Sequence, residues 1–365
     1  MLTVAAFTDT YLPTVNGVTY TVHTWRERWQ ELGGRMPVVY PEDDAYSSAP
    51  DECPVPSVPF PFYRGFRFAW PRIPEPVATA SPDVVHAHTP FTLGLAGRRF
   101  ANRHDIPLVA SYHTPAREYA TYISDAFAGS IRRAADRYER WFFREADAVV
   151  VPSETAKTHV EAAGTPVHVV SNGVNTKRFR PLSTESTRAF CDRHGLPEGP
   201  LVGYTGRHGY EKRLQDVLAA TAGMDVAVVL AGDGPARPSL ERLAAARDDV
   251  YFLGFLDRAE LPAFYASLDV FAFPSPIETQ GLVALEAIAC GTPVVAVDDG
   301  ALSETVTHGD TGYHFPPGEI DGFEAAIRRA LEDRSRLAEN CEARRDELSV
   351  ERSLDALSAV YESVR

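Results

Sequence analysis

The sequence has few lysines, few cysteines and no long apolar run. Each of these features excludes a class of protein or of site. Of its 365 residues only Lys157, Lys177 and Lys212 are lysines, and 50 acidic residues outnumber 36 basic ones, for a net charge of −14. A surface of this sign repels a phosphate backbone, so we do not expect a nucleic-acid partner. The composition also fits a salt-rich cytoplasm, where ions screen self-repulsion, but GC-rich codon usage replaces lysine by arginine in the same way.

The four cysteines are too far apart to predict a zinc site or a disulfide framework. They are Cys53, Cys191, Cys290 and Cys341, and no two form a C-x-x-C pair. No stretch approaches the roughly 20 apolar residues that span a bilayer. The first residues, MLTVAAFTDTY, lack the basic region and cleavage site of a signal peptide. We therefore expect a cytoplasmic protein with reduced thiols.

Short β-rich segments alternate with amphipathic helical segments twice along the chain, which is typical of parallel α/β layers. The first series of strand candidates is LTVAAFT, MPVVYP, DVVHAHT, PLVASYH, AVVVPS and VHVVS. The second series is LVGYTGR, DVAVVLAGDG, VYFLGF, VFAFPS, PVVAV and GYHFPP. Because the chain is also longer than one hydrophobic core usually supports, the sequence predicts two Rossmann-like domains.

Three segments outside these series have a composition of their own. Residues 174–200 are rich in proline, glycine and polar residues, and we place a hinge between the domains there. Residues 54–76 contain so much proline that no regular structure is predicted. The last segment, 350–364, has apolar residues at helical spacing and is predicted to dock as a helix. Those residues are Leu354, Leu357, Val360 and Tyr361.

The segment FPSPIETQGLVALEAIACGTPVVA, residues 273–296, contains two glutamates at a predicted strand–loop–helix junction. Glu278 lies in the loop at the carboxyl edge of the sheet, where ligands of open α/β sheets bind. Glu286 follows inside the helix. The unsatisfied N–H donors of the helix start would face an anion. They belong to Gln280, Gly281 and Leu282.

Two carboxylates beside a bound phosphate would repel it unless they accept hydrogen bonds from hydroxyls on either side of it. A nucleotide sugar has such hydroxyls, on the ribose at one end and the hexose at the other. The alternative is an ordinary helix with one acidic neighbour for its dipole and one solvated glutamate. The surrounding motifs favour the nucleotide sugar.

Two further motifs follow predicted strands. GRHGYEK places Arg207 and Lys212 at a strand end, where a guanidinium and an ammonium can hold a diphosphate, although both could also be ordinary solvated charges. DTYLPTVNGV joins the first strand to the first helix, where Asn16 and Gly17 would let the backbone approach a ligand. This loop is not the G-x-G-x-x-G of dinucleotide enzymes, so an NAD-dependent oxidoreductase is disfavoured.

Seven motifs occur in a fixed order along nearly the whole chain: FTDTYLPTVNGV, DVVHAHTP, SYHT, VSNGVNTKRFRP, GYTGRHGYEK, LAGDGP and PSPIETQGLVALEAIACGTPVVA. Together they resemble the retaining glycosyltransferases of family 4, or group 1, and most closely the branch of glycolipid mannosyl-, glucosyl- and sulfoquinovosyltransferases. The resemblance implies the GT-B fold, with two Rossmann-like domains facing across a cleft and a C-terminal helix crossing back to the first. Residues 1–175 with 350–365 would bind the acceptor, and residues 176–349 the nucleotide-sugar donor.

The resemblance also implies roles for single residues. Arg207 and Lys212 would grip the diphosphate, and Glu278 would bind hydroxyls of the donor sugar. His113, which ends PLVASYHTP, would lie near the reacting sugar, where its backbone or ring contacts the sugar or stabilises charge. A histidine at a strand end is otherwise a packing or capping group, since neutral imidazole is easily satisfied by structural hydrogen bonds.

Further positions are implied less directly. Gly232 and Gly234 of LAGDGP would lie near the nucleotide base and contact it through backbone, so the base is not identified. His88 is a candidate for lining the acceptor cleft, and His86 has an equal chance of being a core residue. Tyr112, Tyr119, Tyr122 and the aromatic and arginine run at 60–72 could hold a sugar or approach a lipid surface, or simply pack.

The expected function is therefore metal-independent transfer of a hexose from a nucleoside diphosphate sugar to a hydroxyl of a lipid or glycan, with retention of the anomeric configuration. The nucleotide sugar is a co-substrate, and no cofactor is expected. The paired aspartates of PEDDAY and VDDG are interpreted as loops, so no metal site is predicted. A lipid acceptor would bring the protein to the inner face of the membrane. The alternatives are a non-catalytic nucleotide-sugar-binding subunit, and an epimerase or sugar phosphorylase of the same architecture.

Overall fold

A computed structural model describes residues 1–60, 66–114, 128–160 and 164–365 of the chain. Tyr119 and Tyr122, and residues 61–65 of the aromatic run, lie outside these ranges. The chain forms two compact units. Unit 1 comprises Met1–Asn172 together with Val350–Arg365, and unit 2 comprises Gly173–Ser349. The assignment of acceptor binding to the first and donor binding to the second stays a prediction.

Unit 1 is built on a seven-stranded parallel sheet with the order β3-β2-β1-β6-β7-β8-β9. Its central strands are continuous runs of small and β-branched apolar residues, as expected for a sheet covered on both faces. The strands are β1 Val4–Phe7, β2 Val38–Pro41, β3 Glu52–Val55, β6 Val84–Ala87, β7 Leu108–Ser111, β8 Ala148–Val151 and β9 Val167–Val169.

Helices cover both faces of this sheet, and one hydrophobic cluster lies on each face. They are α1 Gly17–Glu31, α2 Glu75–Thr79, α3 Thr92–His104, α4 Ala128–Arg144, α5 Glu154–Val160 and the C-terminal helix Val350–Ser363. The C-terminal helix packs against α1, and its predicted apolar stripe is buried. The prediction that residues 350–364 form a docking helix is confirmed.

The proline-rich segment has more regular structure than the sequence predicts. Besides β3, it contains a small antiparallel pair, β4 Ser57–Pro59 with β5 Arg67–Ala69. The prediction of no regular structure over 54–76 is therefore wrong. Proline lacks a backbone N–H, but an edge strand needs hydrogen bonds on one side only. Because β3 lies at the edge of the sheet and β4 in a two-stranded ribbon, both tolerate their prolines.

Unit 2 has a six-stranded parallel sheet with the order β12-β11-β10-β13-β14-β15. Its strands are β10 Leu201–Thr205, β11 Ala227–Ala231, β12 Val250–Gly254, β13 Val270–Phe273, β14 Val294–Val297 and β15 Gly312–Phe315. The helices of this unit are α6 Thr184–His194, α7 Leu214–Ala220, α8 Arg237–Leu243, α9 Leu261–Ser267, α10 Leu282–Ala289, α11 Leu302–Thr305, α12 Ile320–Glu332 and α13 Arg334–Ala343, so the C-terminal helix is α14. All twelve strand candidates named from the sequence are confirmed.

The predicted hinge does not have the expected structure. Residues 174–200 belong to unit 2 and contain α6, which Ser183 caps at its start and Gly195, with φ 62°, at its end. Phe190 of α6 is buried, and the helix packs against α9. The chain passes between the units at Asn172–Gly173 and Ser349–Val350. Among the described residues, no helix has the length and apolar character needed to cross a membrane.

Candidate functional site

The strand order of unit 2 reverses between β10 and β13. Helices on either side of this point lie on opposite faces of a doubly wound sheet, which opens a crevice at the carboxyl ends of the two strands. The loop after β10 carries Arg207 and Lys212, and the loop after β13 carries Glu278. The fold therefore brings these three sequence-predicted residues to the place where open α/β sheets bind ligands.

The cations at this crevice are paired with carboxylates. Lys212 Nζ lies 2.5 Å from Glu278 Oε1, and the two side chains are only 19% and 14% exposed. Arg207 lies 2.5 Å from Glu211, four residues along the chain in the same loop. Glu211 was not singled out in the sequence, because a four-residue spacing indicates an ion pair only within a helix. Any anion that bound these two cations would have to displace a carboxylate from each.

The start of α10 provides backbone donors beside the ion pairs. The helix begins at Leu282, with Gly281 as N-cap in the left-handed region at φ 82°. A side chain is strained at this φ, and a Cβ on Gly281 would also lie 2.7 Å from Leu302 Cδ2, so glycine is favoured there. Gln280 precedes the cap and is buried, and its carbonyl accepts a hydrogen bond from Thr305 Oγ1. The N–H groups at the helix start have no acceptor within the helix and remain the predicted anion donors.

Glu286 lies inside α10 and is 2% exposed. Its carboxylate accepts a hydrogen bond of 2.8 Å from Tyr265 OH, and Arg258 Nη1 lies 3.2 Å from Oε1. Burial raises the pKa of Glu286, and the Arg258 charge and the Tyr265 hydroxyl act against that rise. The sequence did not reveal Tyr265 or Arg258 as its partners. The expected ribose contact of Glu286 stays a prediction.

Gly232 and Gly234 have a structural reason to be glycine. Both have positive φ, 110° and 158°, and a Cβ would lie 2.0 Å from Gly206 O at the first and 2.6 Å from His208 O at the second. They allow the loop after β11 to touch the loop after β10, where His208 N donates to Asp233 O at 2.8 Å. The glycines thus support the loop of Arg207, and their contact with a nucleotide base stays a prediction.

In unit 1, Asn16 is the N-cap of α1. Its side chain accepts from Thr19 N at 2.9 Å and donates to Thr10 Oγ1 at 2.7 Å, so it fixes the loop after β1. A Cβ on Gly17 would meet no protein atom within 4 Å. The described protein atoms therefore do not require glycine at position 17, and its close approach to a ligand stays a prediction.

His113 follows β7, and His88 and His86 belong to the segment of β6. His86 is a core residue: it is fully buried and hydrogen-bonded to Tyr361 OH at 2.6 Å and Ser111 Oγ at 2.7 Å. His88 Nδ1 lies 3.2 Å from His113 Nε2. Burial lowers the pKa of His113 to about 4 and lowers those of His86 and His88, so all three rings are neutral at pH 7.

Asp9, which sequence reasoning missed, follows β1 at the point where the strand order of unit 1 reverses between β1 and β6. It is buried, and its carboxylate accepts hydrogen bonds from the hydroxyls of Thr89 and Thr92 and from Leu93 N, at 2.6, 2.6 and 3.0 Å. Burial raises its pKa. Asp9 thereby ties the loop after β1 to the start of α3.

The aspartate pairs interpreted as loops lie in loops. Asp43 of PEDDAY is 3.1 Å from Arg67, and Asp298 of VDDG is 3.6 Å from His314. Among residues 1–60, 66–114, 128–160 and 164–365, no three histidine, cysteine or acidic side chains are grouped to hold a metal ion. Metal independence of the reaction stays a prediction.

Comparison with known proteins identifies the family. Residues 189–346 match "Glycosyl transferases group 1", and residues 15–178 match "Glycosyltransferase Family 4". The chain is 32% identical to a GDP-mannose-dependent alpha-mannosyltransferase of Mycobacterium tuberculosis, over 99% of this chain and 97% of that protein. It is 31% identical to an alpha-monoglucosyldiacylglycerol synthase of Streptococcus pneumoniae, over 83% and 73%. A sulfoquinovosyl transferase of Arabidopsis thaliana is 32% identical, over 76% of this chain and 56% of that protein.

Solved structures agree with this fold. Sucrose-phosphate synthase of Thermosynechococcus elongatus superposes with a TM-score of 0.80 at 21% identity, covering 100% of this chain and 99% of the other. Anabaena HepE in complex with UDP gives a TM-score of 0.76 at 22% identity, with full coverage of both chains. The family and the GT-B fold expected from the motifs are confirmed.

Proposed function

This chain belongs to the family 4 glycosyltransferases, and on that premise we propose that it transfers a hexose from a nucleoside diphosphate sugar to an acceptor hydroxyl with retention of the anomeric configuration. Glycosyl transfer from a nucleotide sugar is the activity of the family. Retention, the acceptor and the roles of single residues are our proposal.

The observation that carries the proposal is the convergence of a lysine, an arginine and a helix start at the strand-order reversal of unit 2. Lys212 and Arg207 each hold a carboxylate at 2.5 Å, and the N–H groups that open α10 follow the same loop as Glu278. Two cations and backbone donors match a diphosphate, whose oxygens accept from both. Glu278, released from Lys212 by the diphosphate, is then available to hydroxyls of the adjoining sugar.

The reaction we propose is a displacement on one face of the sugar. The bond between the anomeric carbon and the leaving phosphate oxygen breaks while the acceptor oxygen bonds to the same face. The acceptor proton passes to the leaving phosphate. Lys212, Arg207 and the start of α10 stabilise the charge that develops on the leaving diphosphate, which is the largest contribution such a site can make.

This scheme needs no carboxylate nucleophile. A covalent glycosyl intermediate would require one poised at the anomeric carbon. Glu278 is bonded to Lys212 and is assigned to sugar hydroxyls, and Glu286 is bonded to Tyr265 and Arg258. Because two protein cations supply the charge that a divalent metal would otherwise supply, we propose that turnover is metal-independent.

We assign His113 a hydrogen bond to the donor sugar. Its pKa of about 4 leaves the ring neutral at pH 7, so of the two ring functions expected from the sequence, contact with a hydroxyl is favoured over stabilisation of charge. Two matched relatives are named as a monoglucosyldiacylglycerol synthase and a sulfoquinovosyl transferase. We therefore propose a lipid or glycan hydroxyl as acceptor, reached at the inner face of the membrane.

The test begins with thermal stabilisation of the full chain by UDP-, GDP- and ADP-sugars, each with and without EDTA. The stabilising sugar is then incubated with lipid extracts, and the anomeric configuration of the product is read by NMR. An α-configured product from an α-configured donor, formed equally in EDTA, is expected. Inversion, free-sugar interconversion or dependence on inorganic phosphate would reject the proposal. Stabilisation without any transfer would favour the non-catalytic subunit.

A further inference from the structure

His88 and His113 are joined end to end. Their nearest nitrogens are 3.2 Å apart, their ring centroids are 5.5 Å apart and their planes are within 20° of parallel. Because the centroids are farther apart than the nitrogens by about twice the distance from a ring centre to its nitrogen, the two rings lie edge to edge in nearly the same plane. They are not stacked face to face. A hydrogen bond in the ring plane is the geometry that imidazole nitrogens prefer, so one ring donates to the other.

The other nitrogen of His88 decides the direction of this bond. His88 is 1% exposed, and its Nε2 has no hydrogen-bond partner within the described part of the chain. A neutral imidazole has one N–H and one lone pair. With the proton on Nε2, a buried donor would be left without an acceptor, which folded proteins rarely tolerate. With the proton on Nδ1, His88 donates to His113 Nε2 and leaves only a lone pair unmatched.

Neighbouring rings hold His88 in this orientation. His86 stacks on its face with centroids 3.9 Å apart, and His86 is itself anchored by Tyr361 of α14 and by Ser111. Trp25 lies against both His88 and His113, with centroids 5.9 and 6.3 Å away. Its indole N–H donates to Asn172 O at 2.7 Å. These contacts fix the plane of the His88 ring, and a flip within that plane would break its hydrogen bond to His113.

We propose that His88 is a positioning residue that keeps His113, the residue assigned to the donor hexose, in the Nδ1–H tautomer. Its Nε2 is occupied by His88 and is not available as a base. This inference rests on the proposed function for the presence of the hexose. In this proposal His88 orients His113, whereas the sequence predicted that His88 lines the acceptor cleft.

The tautomer can be observed without substrate. Long-range ¹H–¹⁵N correlation spectra of the ¹⁵N-histidine-labelled full chain at pH 7 separate protonated from unprotonated ring nitrogens, and His113→Gln and His88→Asn assign the signals. We expect one tautomer for both residues, with the proton on Nδ1. A proton on His113 Nε2, or averaging between tautomers, would overturn the proposal whatever the protein catalyses.

Two substitutions separate positioning from packing. In His88→Asn the side-chain amide takes the place of Nδ1, whereas in His88→Gln it takes the place of Nε2. We expect His88→Asn to keep the His113 tautomer and His88→Gln to lose it. With UDP-glucose or GDP-mannose as donor, His88→Gln should lower kcat about tenfold with KM changed less than twofold, and His88→Asn should remain within threefold of the wild-type kcat.

Tyr361→Phe is the matched control. It removes the hydroxyl that anchors His86 but leaves the bond between His88 and His113 in place. We expect it to lower stability without changing the His113 tautomer. Equal kcat losses in His88→Asn and His88→Gln would show a purely structural role. Absence of transfer in the wild type would reject the proposed function, while the spectra would still decide the tautomer.

Discussion

The two units share a topology and differ in the chemistry placed at its reversal point. In unit 2 the point between β10 and β13 carries charged pairs, Lys212 with Glu278 and Arg207 with Glu211. In unit 1 the point between β1 and β6 carries the buried Asp9, next to neutral histidines. The fold determines where a ligand can bind in each unit. The side chains at that place determine which chemical group of the ligand is bound. We propose that the charged groups of unit 2 bind the diphosphate and that the neutral groups of unit 1 bind hydroxyls.

The units can be followed separately because tryptophan is confined to one of them. The four tryptophans are Trp25, Trp29, Trp70 and Trp141, and all belong to unit 1. Tryptophan fluorescence therefore reports the unfolding of unit 1, whereas circular dichroism reports both units.

Lys212→Ala should have the largest effect. Loss of one preorganised charge at the leaving group typically costs about 10²- to 10³-fold in kcat. Transfer from UDP-glucose or GDP-mannose should fall by that factor, with the fluorescence-detected transition of unit 1 unchanged. Lys157→Ala is the control, since Lys157 lies in unit 1 and forms a helix pair with Glu154 at 3.6 Å. Equal activity in the two variants would remove the charged site of unit 2 from the mechanism.

Leu357→Ala should selectively destabilise unit 1. Leu357 is fully buried in the C-terminal helix, and truncating such a leucine typically costs about 2–5 kcal/mol. Urea unfolding followed by tryptophan fluorescence should shift to lower urea concentration. Leu337→Ala, a fully buried leucine of α13 in unit 2, should leave that transition in place and shift only the circular dichroism. The reverse pattern would show that the last helix belongs to unit 2 and not to unit 1.

Gly232→Ala tests whether the loops of unit 2 need their glycines. The added Cβ would lie 2.0 Å from Gly206 O at a φ of 110°, and such backbone strain costs about 1–3 kcal/mol. Gly223→Ala has a positive φ of 82° but meets no atom within 4 Å, so it measures strain without the clash. We expect the circular dichroism transition of Gly232→Ala to fall below that of Gly223→Ala, with weaker donor binding. Equal circular dichroism transitions for the two variants would mean that the loops after β10 and β11 are not in contact.

The neutral histidines make unit 1 sensitive to acid. The pKa of His113 is about 4 in the folded chain and 6.5 in the unfolded chain. Between these pH values the unfolded chain binds a proton that the folded chain does not bind. Stability is then lost as pH falls from about 6.5 towards 4, by up to about 1.4 kcal/mol per pH unit for each such histidine. Asp9, whose pKa is raised, acts in the opposite direction. In urea unfolding followed by fluorescence, the free energy of unfolding should therefore fall less with decreasing pH in His113→Gln than in the wild type. The same pH dependence in both proteins would contradict a neutral His113 ring.

The smallest effect on stability is expected for Gly17→Ala. No protein atom opposes the added methyl group, and alanine is favoured over glycine in a helix, so unfolding should change by less than about 1 kcal/mol. Donor binding should nevertheless weaken if the backbone approaches the ligand there. Unaltered binding would leave Gly17 without a role, in contrast to the glycines of unit 2.

Much of the fold could be predicted from the sequence because its strands are short, buried and bounded by turn residues. The exceptions have physical causes. The prolines at 54–76 are tolerated because β3 is an edge strand and β4 pairs on one side only. The polar segment at 174–200 forms a capped helix around Phe190, since one buried apolar face is enough to dock it.

Some residues of the candidate site could be predicted from the sequence, but their pairings could not. Motif order identified Arg207, Lys212 and Glu278, but the sequence separates Lys212 from Glu278 by more than two strands, so their ion pair follows only from the sheet order. Asp9 and Tyr265 carry no local signal, since their partners lie far along the chain. Gly232 and Gly234 were assigned to a nucleotide base, yet the structure gives them a reason within the protein.

Calorimetric titration of the full chain with UDP-glucose and GDP-mannose, in the wild type and in Lys212→Ala, tests the central claim most directly. Our account predicts that at least one donor binds the wild type and that the same donor binds Lys212→Ala at least tenfold more weakly, with the fold of both units intact. Binding of equal affinity to both proteins would contradict a nucleotide-sugar site built around Lys212 and Glu278.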